Sequence, residues 1–284
     1  MNSYQYIRKY FFKYLRYECR YERHNEYRTM CDTINNDLRL TDEECMFLLK
    51  KFHDQTNTSC AHSYVWSNRV YAPMFIYAAT LNGIKSQVCK MLPDHVIVFD
   101  VLFESRGNKV GWHCDHESLG PFINDKPYSA ILNDDYLSVH FNLTFEGGNL
   151  RVLKWPLLSY LHHLVNKNFD IFSLSWRILN ILTSPIADCL CVQKPNTPGR
   201  GNIFNNLALH SVSEGEKRVS YVLRLVRKKM VHTSKTCIHD SLKTSQDCLP
   251  FKKFLSLIPP HISKNEKIYA SDIDWEKLTI LEEE

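Results

Sequence analysis

The stretch GNIFNNLALHSVSEGEKRVSYVLRL, residues 201–225 of this 284-residue chain, has the sequence pattern of a pair of strands. Apolar, aromatic and β-branched residues are frequent on both sides of SVSEGEK (211–217), which has the glycine and charged residues of a turn. The pattern predicts two strands, 201–211 and 217–227, joined by a short connection. The fold class then depends on what precedes this pair.

Further strands are predicted upstream of this pair. Four candidates, each bounded by turn sequences, lie at 95–104, 110–116, 136–145 and 149–154. Repeated short strands with glycine turns indicate an antiparallel sandwich or barrel. The interval 155–197 has helix-like runs and three prolines, and we interpret it as an insertion between two core strands.

The first ninety residues are predicted to be mainly helical. Thr41 and Glu44 form a capping box at the start of one helix, and a second helix is expected within 77–92. The first thirty residues read as a basic amphipathic helix with a tyrosine stripe. Such a helix could bind a nucleic acid or an anionic membrane surface. We favour the alternative in which the tyrosine stripe packs on the core and the basic side chains are exposed to solvent.

Composition excludes several classes. The 35 basic and 31 acidic residues give a net charge of +4, too small to indicate a nucleic-acid partner. The ten cysteines follow no secretory signal, so we expect reduced thiols and a cytoplasmic location. Cys189 and Cys191 form only a CxC pair, which does not support a zinc ribbon. The apolar run 169–192 contains Arg177 and Pro185 and is a poor membrane span.

A candidate metal site lies in GWHCDHESLG (111–120). On a strand, His113 and Asp115 point to one face and Cys114 to the other. Two donors placed in this way can bind one metal ion, and the best third ligand on a distant strand is His210. Two imidazoles and a carboxylate leave three coordination positions open, as in non-haem iron(II) oxygenases.

A candidate anion site follows the distal histidine. Arg218 and Ser220 share one strand face, and a guanidinium with a hydroxyl suits the distal carboxylate of a dicarboxylic acid such as 2-oxoglutarate. Arg224 is the rival anchor because it shares that face. Lys217 points the other way.

The roles of other polar residues can be interpreted in two ways. Asn142 and Asn205 either line a co-substrate or substrate pocket or form hydrogen bonds inside the barrel. We interpret His95 and His140 as surface or hydrogen-bonded core residues, and Trp112 as a packing residue.

Together these residues resemble the motif of a known enzyme superfamily. The chain resembles the iron(II)- and 2-oxoglutarate-dependent dioxygenase superfamily over residues 95–227, through His113, Asp115, His210 and Arg218 and the intervening glycine turn FEGGNL (145–150). The resemblance implies an α+β fold, a double-stranded β-helix or jelly roll with N-terminal packing helices. It also implies that His113, Asp115 and His210 hold iron(II) and that Arg218 binds 2-oxoglutarate, with help from Ser220. From its strand position, we also expect Asn142 to contact the co-substrate.

The domain plan follows from the same resemblance. We expect a single catalytic domain over 1–284, with a helical support region at 1–90 and a β-helix core at 91–230. The helical insertion 155–197 interrupts this core, and 231–284 form a C-terminal extension.

The implied function is oxidation with 2-oxoglutarate and O2, most simply hydroxylation of an unactivated C–H bond, with succinate as co-product. We expect a small-molecule substrate such as an amino acid or a natural-product intermediate, since the insertion suits a lid over a small pocket. We expect no nucleic acid and no membrane span. The alternatives are a protein side-chain hydroxylase, a nucleobase-modifying dioxygenase and a non-catalytic jelly-roll binding module.

Overall fold

A computed structural model describes residues 38–57, 69–73, 81–106, 110–114, 134–144, 148–153, 158–159, 184–194, 197–213 and 217–233. The bounded elements, in chain order, are α1 (Asp42–Asn57), β1 (Arg69–Pro73), α2 (Asn82–Met91), β2 (His95–Arg106), β3 (Val110–His113), β4 (Tyr136–Asn142), β5 (Leu150–Leu153), β6 (Cys191–Lys194), β7 (Gly201–Asn205), β8 (His210–Val212), β9 (Lys217–Arg227) and α3 (Lys228–Thr233). Residues 184–190 are also helical.

The strands form two antiparallel sheets. The large sheet has the order β1-β2-β9-β4-β7, and the small sheet has the order β3-β8-β5-β6. From β2 to β9 the chain passes back and forth between the two sheets, with β5 and β6 as a consecutive pair in the small one. This winding is that of a double-stranded β-helix, so the predicted α+β jelly-roll fold is confirmed.

One face of the large sheet packs on α1, which contacts β1 and β2. Leu48 and Phe52 of α1 and Ile84 of α2 are buried. A Cβ atom at Gly201 of β7 would lie 2.8 Å from the Phe141 ring and 3.0 Å from Leu38. Because this residue is a glycine, β7 can pack closely against Leu38. The opposite face of the large sheet is turned towards the small sheet.

The helix predictions at the start of the described region are confirmed. At α1 the Thr41 N–H donates to Glu44 Oε2 at 2.8 Å and the Glu44 N–H donates to Thr41 Oγ1 at 3.1 Å, which is the expected capping box. The second helix, α2, lies inside the predicted interval 77–92.

Two strand predictions need correction. The predicted strand 201–211 is two strands, β7 and β8, that lie in different sheets. Between them a crossover turn, residues 206–209, is held by the Asn205 side chain, whose Oδ1 accepts from the Leu207 N–H at 2.9 Å. The predicted insertion contains a core strand, β6, which pairs with β5. Its four residues are too few to show an alternation.

Several predicted segments lie outside the described residues: the basic helix of the first thirty residues, most of the insertion, and the C-terminal extension beyond residue 233. The proposed domain plan therefore stays a prediction. In the parts of the chain that the structure describes, no helix is long and apolar enough to cross a membrane.

Tyr221 links β9 to β2 on the helix-covered face. Its hydroxyl donates to Asp100 Oδ2 at 2.7 Å, and both residues are buried. Burial and the neighbouring Asp100 carboxylate raise the pKa of Tyr221 well above its usual value, so the phenol keeps its proton and remains a donor.

We expect Tyr221→Phe to lower the free energy of unfolding by about 1–3 kcal/mol, because the buried carboxylate loses a donor while the ring packing stays. Urea denaturation of the two proteins measures the difference. A change below about 0.5 kcal/mol would show that this bond adds no net stability.

Candidate metal centre

Two histidines from neighbouring strands of the small sheet lie side by side. His113 on β3 is directly opposite His210 on β8. Their ring centroids are 4.3 Å apart and the ring planes are inclined at 51°. The two predicted histidine ligands, about a hundred residues apart in sequence, are therefore brought together as expected.

Each histidine is oriented by its own strand. His113 Nδ1 lies 2.8 Å from the carbonyl oxygen of Gly111, and His210 Nδ1 lies 2.9 Å from that of Ala208. A carbonyl oxygen can only accept, so each Nδ1 carries a proton and, in the neutral ring, Nε2 is the nitrogen with the lone pair. Histidine ligands of metal ions are held in this way, with one ring nitrogen bonded to a carbonyl and the other on the metal.

Packing on the outer face of the small sheet fixes which side chains of β3 point inward. Trp112 and Cys114, the neighbours of His113, are buried in a cluster with Ala187 of the helical segment 184–190. The Trp112 Nε1–H donates to Asp188 Oδ1 at 3.1 Å. The predictions that Cys114 turns away from His113 and that Trp112 is a packing residue are both consistent with this cluster.

The space between the sheets is lined by polar side chains. Residues directly opposite in antiparallel strands share a face. On the face that holds Arg218, three cross-strand rows are therefore defined by Ser220 with Asn142, by Val222 with His140 and Asn202, and by Arg224 with Ser138 and Phe204. The Phe204 ring lies 4.8 Å from the His210 ring, which shows that this face looks towards the histidine pair.

Arg218 spans from the large sheet towards the small one. It is 3% exposed, and its Nη1 donates to the Gly148 carbonyl at 3.1 Å. A Cβ at Gly148 would lie 1.9 Å from the carbonyl oxygen of Ser213, so only glycine allows this backbone to lie against the end of β8. The glycine turn of the sequence motif thus places an acceptor beside Arg218.

The two other predicted co-substrate residues lie next to Arg218. Ser220 is fully buried and is paired with Asn142 across β9 and β4. Asn142 Oδ1 accepts from the Thr144 N–H at 3.2 Å and from the Thr144 hydroxyl at 3.3 Å.

Arg224, the rival anchor, belongs to a different set of contacts. Its Nη1 donates to the Ser138 hydroxyl and to Asn206 Oδ1. Both acceptors are neutral oxygens: Ser138 is on β4 and Asn206 begins the crossover turn. They therefore differ from Gly148, the partner of Arg218. Asn205, the other polar residue with two readings, is a structural residue, since its Nδ2 donates to Asp134 Oδ1 at 2.9 Å.

His140 is an interior residue, which is one of the two locations that the sequence analysis allowed. It is 4% exposed and shares its row with Asn202, also buried. His95 is a hydrogen-bonded core residue, also as expected: its Nε2 lies 2.8 Å from the Asp134 carbonyl oxygen, and burial lowers its pKa.

Asp115, the predicted carboxylate ligand, lies just beyond the described residues, which end at Cys114 on this strand. Its role stays a prediction. Within the described part of the chain, no three His, Cys, Asp or Glu side chains come close enough to hold a metal ion. Cys189 and Cys191 are free thiols, and burial raises the pKa of the Cys191 thiol, which disfavours a thiolate ligand.

No protein-family model and no curated protein sequence matches this chain. Solved structures do resemble it. A nickel complex of the non-heme monooxygenase ThoJ is 14% identical, with a TM-score of 0.42 over 68% of this chain and 73% of that one. A prolyl-4-hydroxylase from Pseudomonas putida is 12% identical, with a TM-score of 0.39 over 66% and 89% of the two chains.

The alpha ketoglutarate dependent epimerase SnoN, from nogalamycin biosynthesis, is 11% identical, with a TM-score of 0.43 over 66% of this chain and 75% of that one. These solved structures include a non-heme monooxygenase and a ketoglutarate-dependent epimerase.

Proposed function

We propose that this chain is an iron(II)- and 2-oxoglutarate-dependent dioxygenase that oxidises, most simply hydroxylates, a small molecule. The observation that carries the proposal is the histidine pair at the inner face of the small sheet. His113 and His210 each have their Nδ1 atom bonded to a backbone carbonyl, so Nε2 is the ring nitrogen that can coordinate a metal ion. A pair needed only for packing would not require this arrangement on both rings.

The donor set suits a non-haem iron(II) site. Two neutral imidazoles with the Asp115 carboxylate, two residues after His113, form the 2-His-1-carboxylate set that leaves coordination positions open. These residues would hold iron(II), which with 2-oxoglutarate and O2 would supply the chemistry to oxidise an unactivated C–H bond, with succinate and CO2 as co-products. The protein's part is to bind, orient and exclude water.

Arg218 is suited to bind the distal carboxylate of 2-oxoglutarate. It reaches Gly148, which lies against Ser213 just past the end of β8, whereas His210 is the first residue of that strand. At ~3.4 Å per residue, His210 and Ser213 are roughly 10 Å apart along the strand. A metal ion on the imidazole followed by a five-carbon dicarboxylate spans such a distance, and the buried guanidinium then meets a carboxylate in a dry setting.

The polar lining supports small-molecule chemistry in this space. Ser220, Asn142, His140 and Asn202 are each at most 4% exposed and face the same interior. Burying such groups costs stability unless they are hydrogen-bonded. A set of them around a histidine pair is the arrangement expected of a pocket that orients polar ligands.

The metal ligands are tested by single substitutions. We expect His210→Ala and Asp115→Ala to abolish succinate formation from 2-oxoglutarate in the presence of iron(II) and ascorbate, since each removes one of three ligands. His53→Ala, at an exposed position on α1, is the matched control and should retain wild-type turnover. Full activity in either ligand variant would remove that residue from the site.

The anchor is tested by its effect on co-substrate. We expect Arg218→Ala to raise the KM for 2-oxoglutarate roughly 10- to 150-fold, because a hydrogen bond to a charged group contributes about 1.5–3 kcal/mol. Iron(II) binding, followed by calorimetry without 2-oxoglutarate, should be unchanged. A KM within about twofold of wild type would show that the carboxylate binds elsewhere.

The substrate class is tested by aerobic incubation of the loaded enzyme with cell extract, followed by mass spectrometry of small molecules and of peptides. We expect a small molecule that gains one oxygen. Oxygen gained only by a peptide would indicate a protein hydroxylase. Absence of both iron(II) binding and succinate formation would identify a non-catalytic jelly roll.

A further inference from the structure

We propose that Arg224 is a positioning residue for the distal ligand His210, acting through Asn206 and the crossover turn 206–209. The inference rests on the proposed function, because it concerns how firmly the chain presents a metal ligand. It also gives the second interior guanidinium of β9 a role other than anchoring the co-substrate.

Asn206 fastens the start of the crossover turn to the large sheet. Its backbone N–H donates to the Tyr136 carbonyl at 3.0 Å, and its Nδ2 donates to the Leu137 carbonyl at 3.3 Å. Its Oδ1 accepts from the Ser138 hydroxyl and from Arg224 Nη1, and the same Nη1 also donates to Ser138. Asn206 is fully buried, so its polar groups bond to these protein atoms and not to water.

The end of the crossover turn is fastened to the small sheet. The Leu209 N–H donates to the Ser159 hydroxyl at 2.8 Å, and the Leu209 carbonyl accepts from the Leu153 N–H at 2.8 Å. His210 follows immediately. The carbonyl that orients its ring belongs to Ala208, inside the turn. A shift of the turn at Asn206 therefore moves the acceptor that sets the direction of the ligand lone pair.

Arg224 is the charged member of this network. A charged donor bonds a neutral oxygen more strongly than a neutral donor does, and a buried amide oxygen that loses a donor is costly. Removing the guanidinium would leave Asn206 Oδ1 with the Ser138 hydroxyl, which would itself have lost the arginine. The turn would then be free to relax towards other positions, and His210 with it.

Arg218 offers a matched comparison. It lies six residues earlier on the same strand and the same face, but its guanidinium binds the Gly148 carbonyl ahead of β5 rather than the crossover turn. Replacing either arginine by methionine removes one interior charge at similar side-chain volume. The two substitutions therefore differ in which end of the site they disturb.

The experiment uses cobalt(II) alone as the metal probe, titrated into the full chain without O2 and followed by calorimetry and by the visible ligand-field spectrum. We expect Arg224→Met to weaken cobalt(II) binding about tenfold, as loss of groups that orient metal ligands commonly does, and to alter the spectrum. Arg224→Lys, which keeps a cationic donor, should recover part of the affinity. Arg218→Met should leave cobalt(II) affinity and spectrum as in the wild type.

A second titration adds 2-oxoglutarate to each protein saturated with cobalt(II). We expect Arg224→Met to bind it within about twofold of wild type and Arg218→Met to bind it much more weakly. If Arg224→Met keeps its cobalt(II) affinity and spectrum, or if Arg218→Met loses as much affinity, the positioning role is wrong. Weak 2-oxoglutarate binding by Arg224→Met with normal cobalt(II) binding would make Arg224 a co-substrate anchor instead.

If Arg224→Met does not fold, Arg224→Lys and Ser138→Ala take its place, since each removes part of the network. Cobalt(II) affinity must then fall further in both than in Arg218→Met, or the inference fails. Failure of the proposed function is recognised separately, because wild-type protein would then bind no cobalt(II) and form no succinate.

Discussion

The pairing of β3 with β8 is the constraint on which the candidate site depends. It sets His113 opposite His210 with their rings 4.3 Å apart, although the two residues are far apart in the chain. Trp112 and Cys114 are buried on the other face, so a rotation of β3 that turned His113 away would expose this apolar cluster. Packing on one side of the sheet thus enforces the direction of a polar residue on the other.

The buried polar residues in the interior of the β-helix lower the stability of the fold. Arg218, Ser220, His140, Asn142 and Asn202 are all buried between or beside the sheets, where apolar side chains would stabilise the fold more. Buried polar groups are tolerated where they are hydrogen-bonded, as Arg218 is to Gly148 and Asn142 is to Thr144. Their concentration on the face of the large sheet from which Phe204 contacts His210 distinguishes this interior from an ordinary sandwich core.

Local signals predicted the elements of the fold: short β-branched and aromatic segments with glycine turns indicated antiparallel strands, and the capping box at Thr41 indicated a helix. The jelly-roll arrangement, and the expectation that His113, His210 and Arg218 belong to one site, came from the resemblance to the dioxygenase superfamily. The sequence did not predict that 201–211 is two strands, because the Asn205 side chain ends β7 at a point where the apolar pattern continues. It favoured Arg218 over Arg224 as the anchor but kept both, since the two share a face of β9; in the structure their partners differ, Gly148 for Arg218 and Asn206 for Arg224.

An iron(II) site at the histidine pair should also bind 2-oxoglutarate. The most direct measurement is the visible absorption of the protein when 2-oxoglutarate is added to it with iron(II) and without O2. We expect a charge-transfer band that saturates at one equivalent of iron(II) per chain, because the keto acid would chelate iron held by the protein. A protein that binds no iron(II), or that binds it and develops no band with 2-oxoglutarate, would rule out such a site.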